Sequence, residues 1–440
     1  MFWYTVRVMG EKDKVLPENV KRMFEDTGIS FRGKFSSICI YCRGGRNLCG
    51  KRVCPITLKA MALLKISKPI VSQNIYGSSP PSVFVGRYGY PKVFVGPMVP
   101  PFSGNTVVMD LPEAWIGTSV EKIVEYRYSL LRGKSLASIE DAWKGGRLIE
   151  SLHELAMSER PVDAEVEFEK APSGNIFLDD NSQPFGPGAP IRKLKLYSLP
   201  STNRKIEKLY YDTDLLSYKA VWELYSSGVE VSRIQRAFSV GMFGLKRNRK
   251  LVPTRWSITA VDSIISGQLI EKIKQYDTVD KYMLYSYRYM DNIFAALLFP
   301  QKWSFEWMEA WFPGTFWNPN SLQVDVGGDS EGYRGRTTYP SIGGCYYASR
   351  LATVEFLDRI RRQATALVLR EIHPQFPLPL GVWFVRECVR RMFNQKPQTF
   401  EDMYEALDGL SKTLTVPLKK WILKSDILKE CIFQKKITEF

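Results

Sequence analysis

Hydrophobic and polar positions along this chain change period several times, and each change marks an element. From Asp163 to Glu169 the acids Asp163, Glu165, Glu167 and Glu169 alternate with Ala164, Val166 and Phe168. A period of two with one polar side is a half-buried strand. Val83, Val85, Val93 and Val95 alternate in the same way within VFVGRYGYPKVFVGP, where Gly and Pro mark the turns. Elsewhere the spacing is helical. A charged helix is expected from Glu18 to Asp26, and a short one over 55–70 that opens on Pro55. Ser138 with Asp141 reads as the capping box of a helix over 139–158, closed by Pro161. Residues 171–190 read as a loop whose Asp179 and Asp180 are turn formers.

Helices are expected over 203–228 and 263–296, then over 347–371 and near 381–394, the last two separated by Pro374, Pro377 and Pro379. Between them WSFEWMEAWFPGTFW, residues 303–317, packs four Trp and three Phe, which is core or interface material. A domain boundary is placed near residue 300, and no internal repeat is evident. The expected fold is α+β: mixed helices and short strands, a small four-cysteine module near the amino end, and a mostly helical carboxy-terminal domain.

Composition sharpens the picture. With 440 residues, 45% hydrophobic positions and 22 Tyr, the chain can bury large cores and is not a disordered polymer. No apolar run approaches the ~20 residues a bilayer span needs, and the start MFWYTVRVMGEKDK lacks a secretory pattern. A soluble cytoplasmic protein without a membrane partner is expected. Of seven Cys, Cys345, Cys388 and Cys431 stand alone and read as small buried apolar residues.

The other four are clustered. Cys39 and Cys42 form a C-x2-C pair, with Cys49 and Cys54 following inside the same sixteen residues. Four thiolates at that spacing can close a tetrahedron around one structural Zn²⁺; an iron–sulfur cluster uses the same ligands. Gly44, Gly45 and Gly50 let the chain turn. Arg43, Arg46, Lys51 and Arg52 offset the negative centre and favour the thiolates. A site with four protein ligands has no open position, so a structural role is expected.

The formal charge of +15 is unevenly placed. No acid occurs between Asp26 and Asp110, a stretch that carries Arg32, Lys34, Arg43, Arg46, Lys51, Arg52 and Arg87 among its eleven basic residues. A second acid-free stretch, 231–261, holds Lys246, Arg247, Arg249, Lys250 and Arg255 and runs through Trp256. Long one-sign stretches suit phosphate contacts, with a solvated basic face as the competing explanation. Interleaved Phe31, Tyr41, Tyr88, Tyr90 and Trp256 can stack on exposed bases, while core packing is the ordinary use of each one singly.

The chain ends IFQKKITEF, so Gln434, Ile437 and Phe440 recur at a spacing of three and share one side of a 3₁₀ turn. A hydrogen-bonding glutamine, an aliphatic and an aromatic plug have the layout of a sliding-clamp-binding peptide, with a terminal strand or helix end packed on the core as the competing explanation, and the usual pair of aromatics is cut to one. Catalytic motifs are missing: RGKS at Arg132–Ser135 lacks the upstream Gly of a phosphate loop, and only His153 and His373 supply imidazoles. The best enzymatic candidates are Asp325, Asp329 and Arg334 in the Gly-rich stretch DVGGDSEGYRGR, where carboxylates and Arg could act on a nucleotide or a nucleic-acid adduct. A surface loop with ordinary turn residues explains the same composition, and catalysis is left open. An RNA-binding or RNA-processing role fits the basic module as well.

The cysteine cluster, VFVGRYGYPKVFVGP, GMFGLKRNRKLVPTRWSITAVD, GGCYYASRLA and the terminal tail occur here in one order. Together they resemble the archaeal Nre family of DNA-repair proteins over essentially the whole chain. That resemblance implies an amino-terminal segment 1–30, an Nre N-terminal-type domain 31–300 with the zinc module at 39–54, an Nre C-terminal-type domain 301–425, and a tail 426–440. It implies a DNA-repair factor recruited to the sliding clamp PCNA, with DNA and other repair proteins as partners. The family's zinc motif falls on Cys39, Cys42, Cys49 and Cys54, and its clamp motif on Gln434, Ile437 and Phe440.

Overall fold

The computed structural model describes residues 73–172, 185–198, 200–318, 321–376 and 378–433. The four clustered cysteines, the basic residues Arg32, Lys34, Arg43, Arg46, Lys51 and Arg52, and the tail residues Gln434, Ile437 and Phe440 lie outside them, as do the helices expected at 18–26 and 55–70 and the turn acids Asp179 and Asp180.

In chain order the first sheet and its helices are β1 (Asn74–Ser79), β2 (Val83–Val85), β3 (Lys92–Val99), α1 (Val120–Ser129), β4 (Leu131–Ser138), α2 (Asp141–Lys144), α3 (Arg147–Met157), β5 (Val162–Phe168) and β6 (Gly188–Leu196). The strands form one sheet in the order β1-β5-β6-β4-β3-β2, antiparallel except for β4 with β6. β5 is buried at every second residue, as its acidic alternation predicts. The expected helix over 139–158 is two helices, because Gly145 and Gly146 both take positive φ and interrupt it. One arm of the capping box does form: the Ser138 N–H donates to Asp141 Oδ2 at 2.9 Å.

A central layer follows: α4 (Arg204–Tyr211), α5 (Ser217–Ser226), α6 (Val231–Ser239) and α7 (Thr254–Ile273). Then come β7 (Tyr282–Tyr289), β8 (Asn292–Phe299), β9 (Ser304–Trp311), β10 (Asp325–Glu331), α8 (Gly344–Ile360), β11 (Thr365–Ile372), α9 (Val382–Met392), β12 (Gln398–Phe400), α10 (Met403–Thr413), α11 (Leu418–Ile422) and α12 (Asp426–Phe433). The second sheet runs β10-β9-β11-β8-β7-β12, antiparallel except for β9 with β11. It includes strands on both sides of residue 300.

Four more expectations are corrected here. The segment 263–296 is helical only to Ile273; β7 and β8 then make a hairpin whose two turn residues, Met290 and Asp291, both hold positive φ. The helix expected to reach 371 stops at Ile360, capped by Arg361 in the left-handed region, and β11 follows. The carboxy-terminal part is not mostly helical, since β9, β10, β11 and β12 belong to the second sheet. DVGGDSE is a strand of that sheet and not a loop.

Every residue of β8 and β11 is buried. On β8, Phe294, Ala296 and Leu298 join a core that continues through α6, α7, α8 and α9 to the first sheet. Ile293, Ala295, Leu297 and Phe299 face the other way, against α10, α11 and α12. Fully burying one such aliphatic or aromatic side chain stabilises by about 1.5–3 kcal/mol, so this doubly covered sheet anchors the fold. Among the described residues no helix is long and apolar enough to cross a membrane.

Candidate nucleic-acid interface

Thr254 joins the two halves at the surface. Its Oγ1 accepts the Val85 N–H at 3.0 Å and so holds the end of β2 against the start of α7. Arg87 follows β2 and Arg255 follows Thr254, and both line an open cleft of about 550 Å³ with Trp256, Tyr339 and Tyr347. The Tyr90 ring lies 5.3 Å from Trp256, and Tyr339 lies 5.9 Å from Tyr347. Trp256 is 45% exposed and Tyr339 60%. Half-exposed rings beside guanidinium groups in an open cleft form an arrangement able to stack on bases next to a phosphate chain.

Arg255 lies in the first turn of α7, where unpaired backbone N–H groups already create positive potential. A cation there works against the helix dipole by a few tenths of a kcal/mol or more. An anionic partner in the cleft reverses that cost.

Arg255 is also a wall of a second, more enclosed chamber of about 280 Å³. Its floor is the second sheet. Arg370 on β11 and Glu309 on β9 are register partners, both buried, and Arg370 Nη1 donates to Glu309 Oε1 at 3.1 Å. Arg370 Nε donates to Asn292 Oδ1 at 2.9 Å, and Trp311 Nε1 donates to Glu309 Oε2 at 2.9 Å. Phe294, Trp317, Phe376 and Phe384 surround the Arg370 guanidinium at 5.5–5.7 Å. The chamber's rim is made by the starts of α8 and α9, whose N-cap residues Gly343 and Gly381 take φ of +85° and +97°, a conformation that costs a residue with a Cβ.

The expected basic residues separate into two groups. Lys246, Arg247 and Lys250 are exposed around the turn Lys246–Asn248 that precedes α7, on the same acid-free stretch as Arg255. Arg249 is buried and serves the fold: its three guanidinium nitrogens donate to the carbonyls of Gly244, Tyr210 and Asp212 at 2.6–2.9 Å. Arg132, in the RGKS string, is likewise buried in β4 with Nε on the Gly186 carbonyl.

Asp325, Asp329 and Arg334 do not converge on one pocket. Asp325 is exposed at the start of β10 and accepts the Val326 N–H, and Arg334 is exposed. Asp329 accepts from Arg336 Nη2 at 3.1 Å, Ser341 Oγ at 2.8 Å and the Ile342 N–H at 2.9 Å. It thereby folds the 332–342 segment so that Ser341 and Ile342 wall the chamber. His153 is buried with Nε2 2.8 Å from the Val240 carbonyl, and burial pushes its pKa down; it is a core residue. Among the described residues no group of three or more His, Cys, Asp or Glu side chains could hold a metal ion.

Sequence reading missed Glu309 and Arg370. The available signal was charge inside two apolar strings, Glu309 in WMEAW and Arg370 with Glu371 in LVLREI, which is costly to bury unless paired.

Family models described as "Archaeal Nre, N-terminal" and "Archaeal Nre, C-terminal" match residues 48–318 and 331–440. A protein of Archaeoglobus fulgidus named DNA repair protein NreB is 48% identical over 393 residues, covering 89% of this chain and 97% of the relative. DNA repair protein NreA of the same organism is 38% identical over 87% of this chain and 95% of its own length. DNA repair protein NreA of Haloferax volcanii is 34% identical over 80% of this chain and 86% of its own length. No solved structure matches.

Proposed function

The chain belongs to the archaeal Nre family, and from that premise we propose that it is a DNA-repair factor that grips nucleic acid in the cleft between β2 and α7. One observation carries the reading: Arg87 and Arg255 line the same cleft as the half-exposed Trp256 and Tyr339. Cations hold phosphates without regard to sequence, and rings accept any base. The exposed Lys246, Arg247 and Lys250 extend the basic surface. The names of the relatives support repair as the setting.

Two further parts of this reading rest on the amino-acid sequence. Cys39, Cys42, Cys49 and Cys54 hold one structural Zn²⁺ beside Arg32, Lys34, Arg43, Arg46, Lys51 and Arg52, which add phosphate contacts. Gln434, Ile437 and Phe440 dock on the sliding clamp PCNA. The separation of Asp325, Asp329 and Arg334 speaks against an enzyme built on that segment.

The test is fluorescence anisotropy with labelled duplex DNA, single-stranded DNA and structured RNA across a salt series. DNA affinity is expected to fall by orders of magnitude between ~50 and ~200 mM salt if several phosphates are contacted. A flat salt profile overturns the proposal, and tighter binding of structured RNA than of either DNA moves it to RNA.

A further inference from the structure

The enclosed chamber behind Arg255 is distinct in character from the open cleft. Its volume of about 280 Å³ admits one planar heterocycle but not a stretch of strand. Trp317 and Phe376 are stacked, with centroids 6.0 Å apart and ring planes within 10°, and Phe384 lies 5.1 Å from Phe376. Aromatic walls of this kind suit a flat ring. At the floor, the buried Arg370–Glu309 pair brings donors and acceptors together where water is scarce. Among the described residues Arg370 spends only Nε and Nη1 on protein acceptors, so Nη2 can donate to a carbonyl oxygen or a ring nitrogen. Burying such a pair costs desolvation, and replacing one with apolar residues of similar volume is often neutral or stabilising, so a buried pair is weak evidence of a purely structural role.

Access matters as much as content. Arg255 lines both spaces, so a strand held in the cleft by Arg87 and Arg255 passes the chamber mouth. We infer that the chamber receives a single nucleobase extruded from the nucleic acid lying in the cleft, with Trp317, Phe376 and Phe384 enclosing the ring and Arg370 with Glu309 contacting its polar edge. This rests on the nucleic-acid reading above and adds the class of substrate: a duplex from which one base swings out. Swinging out costs a few kcal/mol of stacking and pairing, least at a mismatched base, so the chamber selects weakly paired positions.

The experiment compares full-length protein binding to three duplexes of equal length: fully matched, carrying one central mismatch, and carrying abasic residues in place of both mismatched bases. The mismatched duplex is expected to bind about ten-fold tighter than the matched one or better, as a few kcal/mol of unpairing cost implies. The abasic duplex, flexible but with no base to insert, is expected to lose that advantage. C345F, which fills the chamber from the start of α8, and R370Q, which removes the floor cation, are each expected to bring the mismatched-to-matched ratio near one. Equal binding of mismatched and abasic duplexes overturns the inference, as does a ratio kept in both variants or a ratio of one in the native protein. The three-duplex comparison needs no variant, so a misfolded substitution leaves it decisive. Failure to bind any of the duplexes at low salt overturns the nucleic-acid reading itself.

Discussion

Arg350 on α8 donates through Nη1 to Glu331 at the end of β10 over 2.7 Å, and the Glu331 side chain is wholly buried. Its Nε also reaches Ser266 on α7 at 3.1 Å, so one guanidinium ties a sheet edge to two helices. Removing one partner of a buried pair strands the other charge, at a cost of about 3–5 kcal/mol. Glu331→Ala is therefore expected to lower the melting temperature strongly, while Tyr404→Ala, a 70% exposed ring on α10, leaves it nearly unchanged. Equal melting temperatures for both variants contradict a structural role for the pair.

Glu371 makes the acid side of stability readable. Burial pushes its pKa up, but hydrogen bonds from His373, Thr415 and Val416 outweigh burial and hold it below the ordinary carboxylate value. The Thr415 and Val416 N–H groups lie 3.0 and 2.7 Å from the carboxylate, which fastens the end of α10 to β11. A lowered folded-state pKa means that the unfolded chain binds the proton more readily. The contribution is then complete above the unfolded value of ~4.3 and is lost as pH falls through it toward the folded one. Melting curves of the native protein and Glu371→Gln are expected to differ most above pH ~5 and to converge in acid.

Arg87→Ala and Arg255→Ala test the proposed phosphate contacts. Each is expected to weaken DNA binding about equally across sequences and to reduce the slope of log affinity against log salt by about one. An unchanged slope removes that residue from the interface. Arg249→Ala belongs to a different class: its three carbonyl partners lose their donor, so thermal stability falls whether or not DNA is present.

Trp256→Ala tests stacking. A base on an aromatic ring is worth about 1–3 kcal/mol, so single-strand affinity is expected to fall roughly five- to 150-fold, with a smaller loss for duplex DNA. Equal losses for both forms point to lost packing against Tyr90 instead.

The two ends of the chain are tested separately. Elemental analysis is expected to find one zinc per chain in the native protein and none after Cys39→Ser with Cys42→Ser. Truncation before residue 434 is expected to abolish PCNA binding in calorimetry while DNA affinity stays. Retained clamp binding by the truncated protein refutes the tail assignment.

The sequence announces β5 through strict alternation, the first half of β3 through Val93 and Val95, and α9 through the prolines before it. The β7–β8 hairpin escapes because its turn uses Met290 and Asp291, without the Gly that normally marks positive φ. The end of α8 escapes for the same reason, since Arg361 caps it where glycine is customary. In the candidate site, Arg87, Trp256 and Arg255 are legible as basic and aromatic residues in acid-free stretches. Their meeting is not, because it depends on the Thr254 hydroxyl joining segments 169 residues apart. Glu306 and Glu309 illustrate the rest. An odd spacing puts them on opposite faces of β9, where one caps α12 through the Asp426 and Ile427 N–H groups and the other faces Arg370.

That division of β9 gives the molecule a front and a back. Glu309 looks toward the arginine-lined spaces, whereas Glu306 fastens α12, the last helix before residue 434, to the reverse side of the same sheet. One strand thus carries a buried ion pair on one side of the sheet and the anchorage of a helix on the other, so a change at either glutamate is felt on its own side first.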